Sequence, residues 1–452
     1  MKKVLKKGKR IGRTAVLCLL AAACGALLLA GCDNAKENAK NESKEPVGEP
    51  SGEAGTEPTI GSDVLQLLSG SAPADAPTGG QISEEFRKGY AKLAMQLLTR
   101  CKEETDGQLM VSPLSVLTAL AMTANGADGE TLAEMERTLT GLPLETLNEQ
   151  LALFVRSLPS EETAKFASAN ALFVNPIYNV KDSFLNTVQG LYQAEIAKTD
   201  FEKSADAAKS INDWCKEKTD GMIEKVVKET DFSPATLMVL VNALCFDAKW
   251  GSPYLEETQI RDGAFYAADG EKTLTYLWET AYAEDYLSGE LGTGFVKLYE
   301  GGKYGFLALL PAEDLDTLLS ELTPEAWLAL WNTRQKGVLE TAIPKFRTGT
   351  DLELQEILAA MGMPKALSGD AEFPNMIEGV PAHIDKVIHK TFLELDNEGT
   401  RAAAVTAVEM RCTTAEPAGP KRVILDRPFV YAIVDTATGL PIFLGTFEGV
   451  TE

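Results

Sequence analysis

Histidine and cysteine most often supply nucleophiles, proton relays and metal ligands, and this 452-residue chain has two of the first and seven of the second. His383 and His389 are six apart on one predicted strand, so they share a face yet stand about 20 Å apart at about 3.3 Å per residue. They cannot share a metal ion. Cys101, Cys215, Cys245 and Cys412 show no ligand spacing, and Cys215 reads as a small hydrophobe on a helix. There is no Gly-x-Ser-x-Gly, no phosphate loop and no His-Glu-x-x-His. Gly292-Thr293-Gly294 precedes a predicted strand and reads as a turn. No catalytic residue, metal site or cofactor is expected, and the chain is not expected to be an enzyme.

One cysteine has a chemical context of its own. Residues 1–31 hold seven basic residues and no acidic one, and their second half is an apolar run over 15–30, the pattern of a secretory signal. The run ends in Leu29-Ala30-Gly31-Cys32, which resembles the lipobox of bacterial lipoproteins. That resemblance implies a diacylglyceryl group on Cys32 and cleavage ahead of it. Sixteen apolar residues are fewer than the roughly 20 a bilayer span needs, whereas acyl chains at about 0.8 kcal/mol per buried CH₂ hold a protein firmly on a membrane. The expected location is extracytoplasmic, lipid-anchored at the bacterial cell surface.

The formal charge of −23 becomes −30 once residues 1–31 are removed, which argues against nucleic acid as a partner. Residues 33–80 contain no aromatic residue and one apolar cluster, Val64-Leu65-Gln66-Leu67-Leu68. They read as a disordered tether of about 40 Å root-mean-square span. From Gln81 to Glu452 the composition is that of one large domain or two intimate ones.

Helical periodicity marks 86–98, 114–124, 130–139, 144–158, 183–192, 207–218, 315–322, 324–331 and 351–361. Strands read at 166–174, 237–246, 264–276, 295–310, 338–344, 383–395, 428–435 and 441–447. Helices come mostly first and strands later without strict alternation, which favours an α+β architecture. Ser112-Pro113 places a capping oxygen ahead of a proline suited to a first helical position. The strand at 237–246 is apolar on both faces, hence the covered centre of a sheet, and only Asn242 interrupts it.

From Thr400 a period-two reading puts Thr400, Ala402, Ala404, Thr406, Val408 and Met410 on an uncharged face and Arg401, Glu409 and Arg411 on the other. This strand-competent segment runs into Ala415-Glu416-Pro417-Ala418-Gly419-Pro420, which is loop material.

At this point the chain resembles the serpins. The carrying residues are Ser112-Pro113-Leu114-Ser115, Asn170-Ala171-Leu172-Phe173, Ile211-Asn212-Asp213-Trp214, Val241-Asn242-Ala243 through Lys249-Trp250, and Ile343-Pro344-Lys345-Phe346. The hinge Asn397-Glu398-Gly399-Thr400, its alanine run, and Asp426-Arg427-Pro428-Phe429 complete a match over 81–452 in serpin order. The resemblance implies three sheets, about nine helices and an exposed reactive-centre loop.

It also implies a function: a suicide substrate that traps a serine endopeptidase as its acyl-enzyme by inserting the cut loop into the main sheet. On this reading Glu398, Gly399, Thr400, Ala402, Ala403, Ala404 and Thr406 are the hinge, with Ala402, Ala403 and Ala404 small so that insertion outruns deacylation. Ser112, Ser115, Asn242 and His389 match the polar cluster under the opening sheet, which would give Asn242 its partners, and Trp250 matches the point of loop entry. Asn397, Arg401 and Val405 depart from the usual pattern. Counting from Gly399 as serpins usually do places the reactive bond between Thr413 and Thr414, with Met410, Arg411 and Cys412 as alternates. Thr413 favours elastase-like or subtilisin-like proteases and Arg411 trypsin-like ones. The expected state is a monomer, and the alternatives are a non-inhibitory surface binding protein or an inhibitor of cysteine proteases.

Overall fold

The computed structural model describes residues 81–160, 162–400 and 419–449. The signal, Cys32, the tether and the loop positions Arg401, Ala402, Ala403, Ala404, Val405, Thr406, Met410, Arg411, Cys412, Thr413 and Thr414 lie outside them.

Serine caps open the first helices. Ser83 accepts from the Phe86 N–H at the head of α1 (Glu84–Glu103). After β1 (Leu109–Val111), Ser112 accepts from the Ser115 N–H at the head of α2 (Pro113–Ala124), with Pro113 at the first helical position. Then come α3 (Gly129–Leu139), α4 (Leu144–Ser157), β2 (Ala164–Val174), α5 (Asp182–Tyr192), β3 (Glu195–Lys198), α6 (Ser204–Lys218) and β4 (Met238–Lys249). The middle of the chain supplies α7 (Glu256–Gln259), β5 (Ile260–Ala267), β6 (Gly270–Gly289), β7 (Gly292–Leu298), β8 (Tyr304–Pro311), α8 (Leu315–Glu321) and α9 (Pro324–Asn332). It closes with β9 (Gln335–Pro344), β10 (Phe346–Glu353), α10 (Gln355–Met361), β11 (Ile388–Leu395), β12 (Gly399–Thr400), β13 (Lys421–Ile424), β14 (Phe429–Asp435) and β15 (Pro441–Phe447).

This is the α+β content expected, in two sheets rather than three among the described residues. A six-stranded sheet runs β10-β11-β12-β4-β2-β3, and a nine-stranded one runs β1-β15-β14-β8-β7-β6-β9-β13 with β5 also on β6. The reason for two is β6, which is 20 residues long. It pairs with β5 over 260–277, with β9 across a register shift between Ala281 and Glu284, and with β7 at its end. One continuous backbone therefore joins what would otherwise be separate ladders.

Three predicted strands change. The segment 264–276 is a hairpin, β5 and β6, because Gly270 turns with a positive φ of 129°. The segment 295–310 is likewise split into β7 and β8 by Gly301 and Gly302. The strand expected at 383–395 begins only at Ile388, so His383 is not on it and lies exposed. The helix expected over 351–361 starts at Gln355, since 351–353 extend β10 against β11.

β4 is covered on both faces, as its composition requires. Leu244, Phe246 and Ala248 face the main core with α2 beneath, while Val241 and Ala243 pack in a second cluster with Ile211 and Trp214 of α6. By alternation Asn242 points toward α2.

Candidate functional site

The six-stranded sheet is discontinuous at its middle. Among the described residues β4 and β11 share no ladder, and β12 alone joins them, through Leu395↔Thr400 on one side and Gly399↔Lys249 and Thr400↔Ala248 on the other. The cleft between β4 and β11 thus has a hinge end, a middle, and a far end.

Backbone bonds pin the hinge end. The Trp250 N–H donates to Glu398 O at 2.8 Å, the Tyr254 N–H to Asn397 O at 3.0 Å, and the indole Nε1–H of Trp250 to Asp396 O at 2.9 Å. The Asp396 carboxylate accepts from the N–H groups of Glu398 and Gly399, closing a turn that aims β12 into the cleft. Lys345 Nζ donates to Asn397 Oδ1 at 2.8 Å. Gly399 is required by contact: a Cβ there would lie 2.0 Å from Ala248 O and 2.7 Å from Lys249 Cα. Thr400 is buried, its hydroxyl 2.6 Å from the Tyr299 hydroxyl.

Aromatic rings back this end. Tyr299 stacks on Trp250 at 4.7 Å and 7°, and Phe246 meets the Tyr299 ring edge-on at 5.0 Å. Lys297 lies 4.5 Å from the Tyr254 ring centroid and 5.6 Å from that of Trp250, in a buried ion pair with Glu279. Burial, opposed by Lys297 and reinforced by Glu279, pushes the nearby Glu284 carboxyl up to about 7.

Away from the hinge, the expected polar cluster is divided. The Ser112 N–H donates to His389 Nε2 at 2.9 Å, and Ser112 Oγ donates to Ile442 O. His389 is therefore neutral with its proton on Nδ1, and burial holds its value down to about 4. Asn242 takes other partners: its Nδ2 donates to Asn170 Oδ1 at 2.8 Å and Ser168 Oγ at 3.3 Å, while its Oδ1 is buried without a partner. The expectation that Ser112, Ser115 and His389 would satisfy Asn242 is thus corrected. Asn170 lies directly opposite Asn242 in the β2–β4 ladder, whereas no ladder brings β11 alongside. Ser115, Asn242 and His389 nonetheless line one cavity of about 380 Å³ at the far end, with Val239, Val241 and Ile388. Lys386 bridges across it to Asp231 at 2.9 Å.

Residue reasoning missed Tyr299, Asn170, Asp396 and Lys297. Asn170 had a signal, a second amide in a second apolar strand; Tyr299 had none, being 101 positions from Thr400.

Fold and cleft define an α+β protein whose six-stranded sheet holds the short strand β12 between two strands that, among the described residues, are not paired with each other. A family model described as Serpin (serine protease inhibitor) matches residues 88–449. The chain is 31% identical over 347 residues to an uncharacterized serpin-like protein of Thermococcus kodakarensis, covering 75% of this chain and 80% of that one. It is 31% identical over 369 residues to serpin B6 of Bos taurus, covering 78% and 96%. Among solved structures it is similar to the thermophilic serpin tengpin in the native state, with 33% identity, a TM-score of 0.76, and coverage of 84% and 98%. The chain belongs to the serpin family. Membership carries a protease-inhibitor role in general, and serpins are generally not catalysts.

Proposed function

We propose that this serpin is a suicide-substrate inhibitor of serine endopeptidases, held at a bacterial cell surface through a lipid on Cys32. The observation that carries the reading is β12: Gly399 and Thr400 occupy a strand position between β4 and β11, and the loop beyond them would extend that strand. A protease attacks the loop, its serine forms an ester with the new carboxyl terminus, and the freed segment with Ala402, Ala403, Ala404 and Thr406 lengthens β12. The chain supplies no nucleophile; it supplies the strand position, and the dragged protease cannot deacylate. The target class depends on the residue ahead of the bond: elastase-like or subtilisin-like for Thr413 before Thr414, trypsin-like for Arg411.

The test is incubation with an elastase-like and a trypsin-like protease, then denaturing electrophoresis and mass spectrometry of the released peptide. A covalent complex supports inhibition and the peptide locates the bond. Complete loop cleavage without complex across a broad serine-protease panel rejects it in favour of a non-inhibitory role, and complex with cysteine proteases alone shifts the target class.

A further inference from the structure

We propose that Tyr299 is a positioning residue that recognises the hydroxyl of Thr400 and thereby holds β12 docked in the cleft. This deepens the inhibitor reading and rests on it for its kinetic consequence, but the docking itself stands on geometry alone.

The phenol is fixed in place before the hinge reaches it. Tyr299 forms an antiparallel bridge with Trp250, its N–H donates to Tyr304 O at 3.0 Å, and its ring is stacked on Trp250 and met edge-on by Phe246. Its hydroxyl therefore has little freedom to search for another partner. Thr400 is 2% exposed, and the two oxygens meet at 2.6 Å inside this aromatic wall. A buried hydroxyl that loses its partner keeps the full desolvation cost. A valine at 400 would fill the same volume and strand both the contact and the phenol. Serine would preserve the bond.

The contact also fixes which way the hinge faces. Gly399 abuts the Ala248–Lys249 backbone, so the strand cannot slip there, and Thr400 must point to Tyr299. Strand alternation then assigns Ala402, Ala404 and Thr406 to the same inward side on extension. The hydroxyl pair acts as a register mark read at the first residue of the insertion.

Two measurements on the full chain test this. Hydrogen exchange of peptides spanning 396–400, and of the Trp250 and Tyr254 amides that donate to Glu398 and Asn397, reports docking without any protease. Tyr299→Phe and Thr400→Val are each expected to speed that exchange about tenfold, Thr400→Ser to leave it unchanged, and Tyr299→Phe with Thr400→Val together to exceed neither alone. The second measurement is the fraction of cut loops ending as covalent complex, expected to fall about tenfold in the same two variants and to be retained with serine. Unchanged exchange in both single variants overturns the proposal, as does Thr400→Ser behaving like Thr400→Val, since the methyl group and not the hydroxyl would then be recognised. If the wild-type chain forms no complex with any protease while exchange responds as stated, the inhibitor reading fails and the docking role of Tyr299 stands.

Discussion

The two ends of the cleft between β4 and β11 are built on opposite plans. At the hinge end the backbone around β12 is matched, although Glu398 Oε2 and the Tyr254 hydroxyl are buried without partners: backbone donors meet carbonyls, a glycine meets a backbone too close for a side chain, and stacked rings fill the space behind. At the far end β4 and β11 part around a cavity of about 380 Å³, Asn242 keeps an orphan oxygen, and Met238, Val239 and Leu240 are only half-buried at the start of an apolar strand. One end is finished and the other is held short of its best packing. A sheet completed along its whole length would have nothing left to gain by admitting another strand.

The sharpest way to break the contrast is Gly399→Val. Its Cβ would meet Ala248 O at 2.0 Å, so β12 must leave the sheet. The yield of covalent complex per cut loop should fall by about two orders of magnitude, read on denaturing gels. Overall stability should change far less, because few residues beyond β12 depend on that contact.

Trp250→Ala should next cost about 3–5 kcal/mol in denaturant unfolding, the range for emptying a buried large aromatic site. It removes the stack on Tyr299 and the bond to Asp396 O together. A loss below about 1 kcal/mol would show the hinge end to be less tightly built than its contacts imply.

The two ends should also titrate in opposite senses. His389, at the far end of the cleft, is held down to about 4 in the fold against an ordinary value near 6.5. The unfolded chain takes up that proton first, so its stabilising effect is complete above about pH 6.5 and is lost as pH falls toward 4. Glu284 at the hinge end is raised to about 7 from 4.5, facing Lys297, Glu279, Lys336 and Asp285. Its stabilising effect is complete below about pH 4.5 and is lost as pH rises through 7. Each slope approaches about 1.4 kcal/mol per pH unit, and between about pH 4.5 and 6.5 they oppose. Denaturant midpoints measured across that window should rise with pH in Glu284→Gln and fall with pH in His389→Gln, relative to a flatter wild type. Parallel profiles for the two variants would contradict the assignment.

The smallest effect belongs to the strap at the far end. Lys386 and Asp231 are partly solvated, so Lys386→Met should cost no more than about 1 kcal/mol, and the difference from wild type should shrink in high salt. Its value as a probe lies in kinetics: freeing this end should hasten complex formation in stopped-flow if the strap restrains opening.

The sequence was most legible where a residue's role is local. Ser112-Pro113 announced α2 and the apolar run announced a two-sided strand, while the hinge at Gly399 and Thr400 was read from the serpin resemblance. It was least legible where the role depends on a partner far along the chain. Asn242 declared itself as a buried amide, but whether β2 or β11 would satisfy it depends on which neighbour is in ladder contact. That is a property of sheet order, not of residue type. Gly270 in one expected strand and the Gly301-Gly302 pair in another proved to be turns rather than tolerated interruptions, which is why two single strands became hairpins. The uncharged alternation after Thr400 remains a sequence reading, since those positions lie outside the described residues.

β12 is only two residues long, yet it alters the kind of event that strand uptake would be. The difficult part of starting a β-ladder is choosing a register and immobilising the first pair, before any bond gained later can offset that loss of freedom. Here the first rung is already laid, with Thr400 opposite Leu395 and Ala248. A cut in the loop would therefore release growth from a seed, residue after residue, and growth is fast and directional where nucleation is slow and prone to error.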